Sequence, residues 1–311
     1  MWSLLISIRT VCLTTYKSHC KYENFNFKTF NHTDHKMYEI ENNIDLENHF
    51  FNNVNNNCCE YYTEEEFNRT VEMEGALSII HFNSRSLYKN YEQIKDFLWQ
   101  FNKFNLIAVS ETWLDDEKVQ DVELEGYNLF MVNRVNKKGG GVALYVDTAL
   151  RCSLIKSMSR TIENILECLT IEINIERSKN IVMSCVYRTP GTSIETFMNK
   201  LVGVLDHYNE NKVQIICGDF NIDLLNPNGH KKTTDFLNMV YSKGLFPVIT
   251  KPSRMTIDTA TLIDNIYTNE IGGKIVGGLF IKDMTDHLPV SAVFQSIFKK
   301  KQMKTSQIIT N

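Results

Sequence analysis

From Ala76 onward, apolar runs that stop abruptly at polar residues alternate with amphipathic stretches. Ala76 to Phe82 is a compact apolar run that ends at Asn83-Ser84-Arg85-Ser86. Ile94, Phe97, Leu98 and Phe101 follow at spacings of three and four, the period of a helix with one apolar face. Leu106 to Val109 reads as a short buried strand ending in Ser110-Glu111-Thr112-Trp113, and Gly139-Gly140-Gly141 leads into a strand over Val142 to Val146. Leu169 to Ile175 and Ile181 to Tyr187 predict a hairpin. A second helix is predicted over Ile194 to Leu205, and another around Thr233 to Lys243. Late strands are predicted over Thr261 to Tyr267, Gly278 to Lys282 and Pro289 to Phe294. Strands separated by helices, with hairpins between them, predict an α/β fold with mixed sheets in a single domain after residue 75.

One run carries more chemistry than the others. Ile215-Ile216-Cys217 ends in Gly218-Asp219-Phe220-Asn221, so a buried strand delivers a carboxylate and an amide to its carboxyl end. Asp219 and Asn221 are two apart, and on an extended backbone both side chains point the same way. A turn in which Asp219 bonds its own downstream backbone is the structural alternative.

Charge is distributed unevenly. Residues 1–75 hold 6 Lys+Arg against 12 Asp+Glu, and the other 27 and 25 leave the rest at +2 within an overall −4. The acidic segment is rich in asparagine (Asn52-Asn53-Val54-Asn55-Asn56-Asn57) and shows no sustained period, so residues 1–75 are expected to be a disordered leader. The near-neutral remainder argues against binding by charge alone, while leaving room for a local basic patch. Cys12, Cys20, Cys58 and Cys59 lack paired C-x-x-C spacing, and Cys185 and Cys217 sit inside apolar runs. Neither zinc nor a disulfide framework is expected, which fits a nuclear or cytoplasmic location. No apolar run reaches the roughly 18 residues of a membrane helix. Met1 to Leu13 contains Arg9 and lacks a small-residue cleavage pattern, so secretion is not expected.

Polar residues at strand ends form the candidate site: Asn83, Glu111, Tyr187, Asp219 with Asn221, Asp264, and Asp286 with His287. Carboxylates and amides without cysteine suit a hard cation, Mg²⁺ or Mn²⁺. A histidine beside acids suits stabilising or protonating a phosphoryl oxygen. Each has a structural alternative: a turn for Asn83, a cap for Glu111, an ordinary strand aromatic for Tyr187, a satisfied histidine for His287.

The ordered set Asn83, Ser110-Glu111-Thr112-Trp113, Val186-Tyr187-Arg188-Thr189-Pro190, Gly218-Asp219-Phe220-Asn221, Ile263-Asp264-Asn265-Ile266 and Thr285-Asp286-His287 resembles the endonuclease/exonuclease/phosphatase superfamily. Within it, Phe82 to Leu87, Lys137 to Ala143 and Asp264 to Asn269 most resemble the endonuclease domain of non-LTR retrotransposons, over roughly residues 76–297. The resemblance implies a DNase I-like four-layer α/β sandwich, with two packed mixed sheets flanked by helices. It also implies that Glu111 ligates the metal with Asn83 beside it and Asp286 as a further carboxylate. Asp219 would activate water, with Asn221, Tyr187 and Arg188 on the substrate phosphate. His287, oriented by Asp264, would act on the phosphoryl oxygen.

The implied activity is a metal-dependent phosphodiesterase that nicks one DNA strand, as a monomer without membrane attachment. A small phosphate-ester or phosphoinositide phosphatase of the same fold, or an inactive binding relic, are the alternatives. Two departures stand out. Arg85 occupies a position that is acidic in many relatives outside the retroelements, and Thr261-Leu262 replaces the usual serine or arginine before the Ile-Asp motif. Beyond Phe298 the chain holds only a basic polar tail, with nothing that would encode a reverse transcriptase. A fragment, a degenerate copy or a host-retained domain is therefore expected.

Overall fold

The computed structural model describes residues 59–298 except 116, 135–138, 177, 209–210, 226–229, 272 and 296. The leader up to residue 58, the basic tail and Lys137-Lys138 lie outside the described residues. In chain order the elements are β1 (Cys59–Tyr62), α1 (Glu64–Thr70), β2 (Leu77–Asn83), α2 (Leu87–Leu98), β3 (Leu106–Ser110), β4 (Tyr127–Val132) and β5 (Val142–Asp147). They continue as β6 (Cys152–Leu154), β7 (Arg160–Ile162), β8 (Leu166–Ile173), β9 (Ile181–Arg188), α3 (Ile194–Leu205), β10 (Val213–Asp219) and α4 (Lys231–Ser242). The last are β11 (Phe246–Pro247), β12 (Arg254–Met255), β13 (Ala260–Thr261), β14 (Asp264–Thr268), β15 (Ile275–Phe280) and β16 (Val290–Phe294).

Two mixed sheets carry the fold, ordered β1-β15-β16-β2-β3-β5-β4 and β11-β14-β10-β9-β8-β6, with β7 on β8. Strand alternation sorts the first sheet's side chains between two cores. Leu77 and Ile79 of β2, Leu106 and Ala108 of β3, and Leu144 of β5 join the core between the sheets. Their neighbours Ile80, Phe82, Ile107, Val109 and Tyr145 face the other way, where Phe67 of α1 and Phe97 of α2 cover them. On the outer face of the second sheet, Phe236 of α4 packs edge-on against Tyr267 of β14 and beside Phe197 of α3. The result is the expected four-layer α/β sandwich of helices, sheet, sheet and helices.

The predicted helices and hairpin form close to where the pattern places them, with Ile173 facing Ile181 across the hairpin. The N-terminal boundary moves. β1 pairs in parallel with β15, from Cys59 opposite Gly277 to Tyr62 opposite Phe280, so the folded body includes residues the composition assigned to a leader. Thr63 and Glu66 close a reciprocal capping box on α1. Phe67 is fully buried against the rings of Tyr62, Phe101, Phe104 and Phe280. Phe67→Ala is therefore expected to lower unfolding stability by about 3–5 kcal/mol, readable in a urea titration. A change under about 1 kcal/mol would return this segment to the leader.

Candidate active site

Strand direction brings the polar residues to one end of the molecule. β2 and β3 run parallel, as do β9 and β10, so Asn83, Ser110, Arg188 and Asp219 all sit at carboxyl ends. β14 is antiparallel to β10 and β16 to β2, so the amino ends of those strands, at Asp264 and just after His287, return to the same place. Parity then turns the side chains inward. Asn83 shares a face with Leu77 and Ile79, and Asp219, Tyr187 and Asp264 lie on the register of Cys217, Cys185 and Ile266, with Cys185 Sγ 3.7 Å from the Val109 carbonyl of the facing sheet. The site is thus the open end of the inter-sheet core.

Asp219 is fully buried at its centre. Asn83 Nδ2 donates to Asp219 Oδ2 at 2.9 Å and to Glu111 Oε1 at 2.9 Å, tying the two sheets' carboxylates through one amide. The strand stops at Asp219, and Asn221 has φ 48, so the extended geometry expected for the pair gives way to a turn. The Asn221 backbone N–H donates to Asp219 Oδ1 at 2.8 Å, and its Nδ2 donates to Asp219 Oδ2 at 3.1 Å and to the Arg188 carbonyl at 2.8 Å. Both alternatives for this motif coexist: it is an Asx-type turn, and the turn aims the acid. Gly218 permits it, because φ is 149 and a Cβ would collide with the Val186 carbonyl.

Opposite Asp219, His287 Nδ1 lies 2.9 Å from Asp264 Oδ2, which also accepts from Ser253 Oγ at 2.8 Å. Burial pushes Asp219 up to about 8, reinforced by the charge of Asp264 and opposed by His287. Burial also pulls on His287, but the Asp264 charge and hydrogen bond outweigh it and hold the imidazole at about 9. Burial opposes ionisation of Asp264 as well, yet His287 holds that carboxyl below its usual range. Protonated His287 and ionised Asp264 are therefore the resting pair at neutral pH.

Two participants escape any motif. Ser253 lies in a polar stretch without period. His81, inside the apolar β2, is buried with Nε2 3.0 Å from Ser110 Oγ and Nδ1 3.9 Å from Asp264 Oδ1, and burial lowers it to about 4. Only an inward parity shared with Asn83 would have marked it.

The remaining candidates divide. Tyr187 is buried with its phenol held protonated by burial, and its hydroxyl has no hydrogen-bond partner among the described residues. Arg188 is buried and donates to the carbonyls of Asn221 (2.8 Å) and Thr192. Asp286 faces guanidinium on both oxygens, Arg85 Nη1 at 3.0 Å and Arg254 Nε at 2.8 Å, and is not drawn to Glu111.

The triglycine segment positions Glu111 from the side. Trp113 N–H donates to the Gly140 carbonyl at 2.9 Å and Thr112 N–H to that of Gly141 at 3.3 Å, while Gly141 N–H donates to buried Glu167, the partner of Arg134. Arg85, Ser86, Glu111, Trp113 and Asn221 make up five of the six described non-glycine residues with positive φ, so backbone strain is concentrated at this end.

The donor set fits a divalent cation. Glu111 is half-exposed and, among the described residues, has no basic partner, unlike Glu167 and Asp286. Among the described residues, Asn83 Oδ1 accepts only a long 3.3 Å bond from Arg85 N–H. Both are hard oxygen donors facing the open end. Donor atoms of Asp219, Asp264 and His287 also lie within 4.8 Å of one another. Of the three, His287 and Asp264 are bonded to each other through atoms a metal would need, and Asp219 stands beside them with its hydrogen bonds going to Asn83 and Asn221.

The two-sheet sandwich thus carries acids, amides and two histidines at its open end, and a family model covers this set. The family model described as "Endonuclease/Exonuclease/phosphatase family" matches residues 80–287, and the chain belongs to that family. The endonuclease domain of TRAS1, a telomere-specific non-LTR retrotransposon, superposes with TM-score 0.55 at 14% identity, covering 72% of this chain and 100% of that one. An AP endonuclease from Archaeoglobus fulgidus gives 0.54 at 17%, covering 70% and 99%. A variant of the 3′ phosphatase NExo from Neisseria, bound to product DNA hairpin, gives 0.52 at 17%, covering 70% and 99%. At these identities the likeness is one of fold. A search of curated proteins gives no match. Among the described residues, no helix is long and apolar enough to cross a membrane.

Proposed function

We propose that this chain is a Mg²⁺- or Mn²⁺-dependent DNA endonuclease that nicks one strand and leaves a 3′ hydroxyl. The observation that carries the reading is the position of Asp219, linked through Asn83 to Glu111 on one side and facing the His287–Asp264 pair on the other. Asp219, in the ionised form that grows as pH rises towards about 8, accepts a proton from water as the water oxygen bonds to phosphorus. The P–O3′ bond breaks, and the departing oxygen takes a proton from solvent. His287, positively charged, stabilises the phosphoryl oxygen on which charge accumulates, and Tyr187 donates to the same phosphate. Glu111 and Asn83 would hold a divalent cation, which when bound would supply further positive charge at the phosphate. Asn221 and Arg188 act through the turn, keeping Asp219 aimed.

Supercoiled plasmid incubated with the protein and magnesium is expected to yield nicked circles. Glu111→Gln is expected to raise the magnesium concentration needed for half-maximal rate by about 10–100-fold, the usual scale for weakening a metal site. Turnover of inositol phosphates or phosphoinositides in place of DNA would redirect the reading to a phosphatase.

A further inference from the structure

Asp286 holds two guanidiniums at once. Arg254 Nε donates to Oδ2 at 2.8 Å, and Arg85 Nη1 lies 3.0 Å from Oδ1 as an ion pair without hydrogen-bond geometry, with Arg85 and Arg254 side chains 45% and 35% exposed. One carboxylate needs one partner, so the trio keeps a surplus positive charge at the surface. Among the described residues, these are the only polar contacts of either guanidinium, which leaves Nε and Nη2 of Arg85 and both Nη groups of Arg254 free to donate.

Both arginines are placed by backbone. Arg85 has φ 42 and Ser86 φ 93, a bend fixed by Ser86 N–H to the Glu111 carbonyl (2.9 Å) and Leu87 N–H to that of Thr112 (2.8 Å). Arg254 sits on β12, where Met255 N–H donates to the Asp286 carbonyl at 3.0 Å and Leu288 N–H to that of Ser253 at 2.7 Å. The pair therefore brackets His287, whose Nε2 is 4.0 Å from Asp286 Oδ1. Arg188, by contrast, is buried and committed to carbonyls.

We propose that Arg85 and Arg254, held side by side by Asp286, grip a backbone phosphodiester next to the one that is cut. Guanidinium forks match phosphate geometry, and the shared carboxylate removes part of the ordering cost by fixing Arg254 through a hydrogen bond and keeping Arg85 beside it through charge. Recognition then extends beyond the cleaved bond, which favours a polynucleotide over an isolated phosphate ester. The proposal rests on the DNA-cleaving reading.

The test uses the full chain and a fluorescein-labelled DNA duplex, titrated across a range of salt concentrations. For Arg85→Ala and Arg254→Ala, Kd is expected to weaken roughly tenfold each. The slope of log Kd against log salt is expected to fall by about 0.9 for each arginine removed. In plasmid nicking the loss should sit in KM. Arg85→Lys should keep most of the salt slope while losing part of the affinity, because the charge remains and the fork does not. Unchanged affinity and slope in both alanine variants would overturn the proposal. So would a loss confined to kcat, which would mean that the pair only steadies His287. A wild type that nicks while the variants bind normally sinks the clamp alone. A wild type that binds with the arginine-dependent slope but never nicks sinks the endonuclease reading and leaves the clamp standing.

Discussion

Asp219→Asn is expected to leave supercoiled plasmid uncut, with nicking reduced about 10²–10⁴-fold, the range a positioned general base contributes. The same substitution is expected to hold thermal stability at neutral pH, the relief of a buried acid offsetting the loss of one acceptor. Burial lifts the Asp219 carboxyl from its ordinary acid range to about 8, so the folded state holds this proton more tightly than the unfolded chain. Such a group costs stability progressively as pH rises from about 4 through 8, because ionising it is harder inside than out. An amide of the same shape removes that cost but has a single oxygen, which serves either the Asn83 and Asn221 amides on the Oδ2 side or the Asn221 backbone N–H on the Oδ1 side, while its NH2 faces the other donor. Activity lost with stability held or raised is the signature of a site maintained for chemistry. Activity and melting temperature falling together would instead mean that Asp219 is a structural acid.

Asp264→Asn carries the second large effect, with the opposite linkage. Asp264 raises His287 to about 9 against the pull of burial. That pair contributes full stability below about pH 6.5, the ordinary imidazole value, and loses it as pH climbs through 9. Without that carboxylate, burial is opposed only by the charges of Asp219 and Asp286. The His287 ring should then titrate well below its wild-type value, measurable by NMR of its ring protons. With less of the imidazole charged at neutral pH, nicking should fall, by up to about 10²–10⁴-fold. The alkaline fall in stability should flatten in parallel. A His287 that still titrates near its wild-type value in Asp264→Asn would remove Asp264 as its partner.

Much of this molecule is readable from local pattern because the underlying physics is local. The apolar spacing of Ile194, Phe197, Leu201 and Leu205 matches α3 end to end, since a helix satisfies its backbone internally and needs only a face to bury. The runs into Asn83, Ser110 and Asp219 mark buried strands because their polar ends are confined to where the sheet meets solvent. β1 escapes such reading. Its four residues have no amphipathic signal, and they become a strand only because β15 offers an unpaired edge. β4, β6 and β7, with partly exposed side chains, are hidden for the same reason.

By themselves the residues determined the fold class, the order of the strands' polar ends and the kinds of donor groups those ends carry, because periodicity and residue type are properties of short segments. Their partnerships were decided by the tertiary structure. Asn83 became the bridge between Glu111 and Asp219, His81 and Ser253 joined the Asp264 end, Arg188 was withdrawn into the backbone of a turn, and Asp286 passed from the metal side to Arg85 and Arg254. The physical reason is that hydrogen bonds and ion pairs act over a few ångströms of space. Which residues come that close depends on sheet register and on the packing of two sheets whose strands are far apart in the chain.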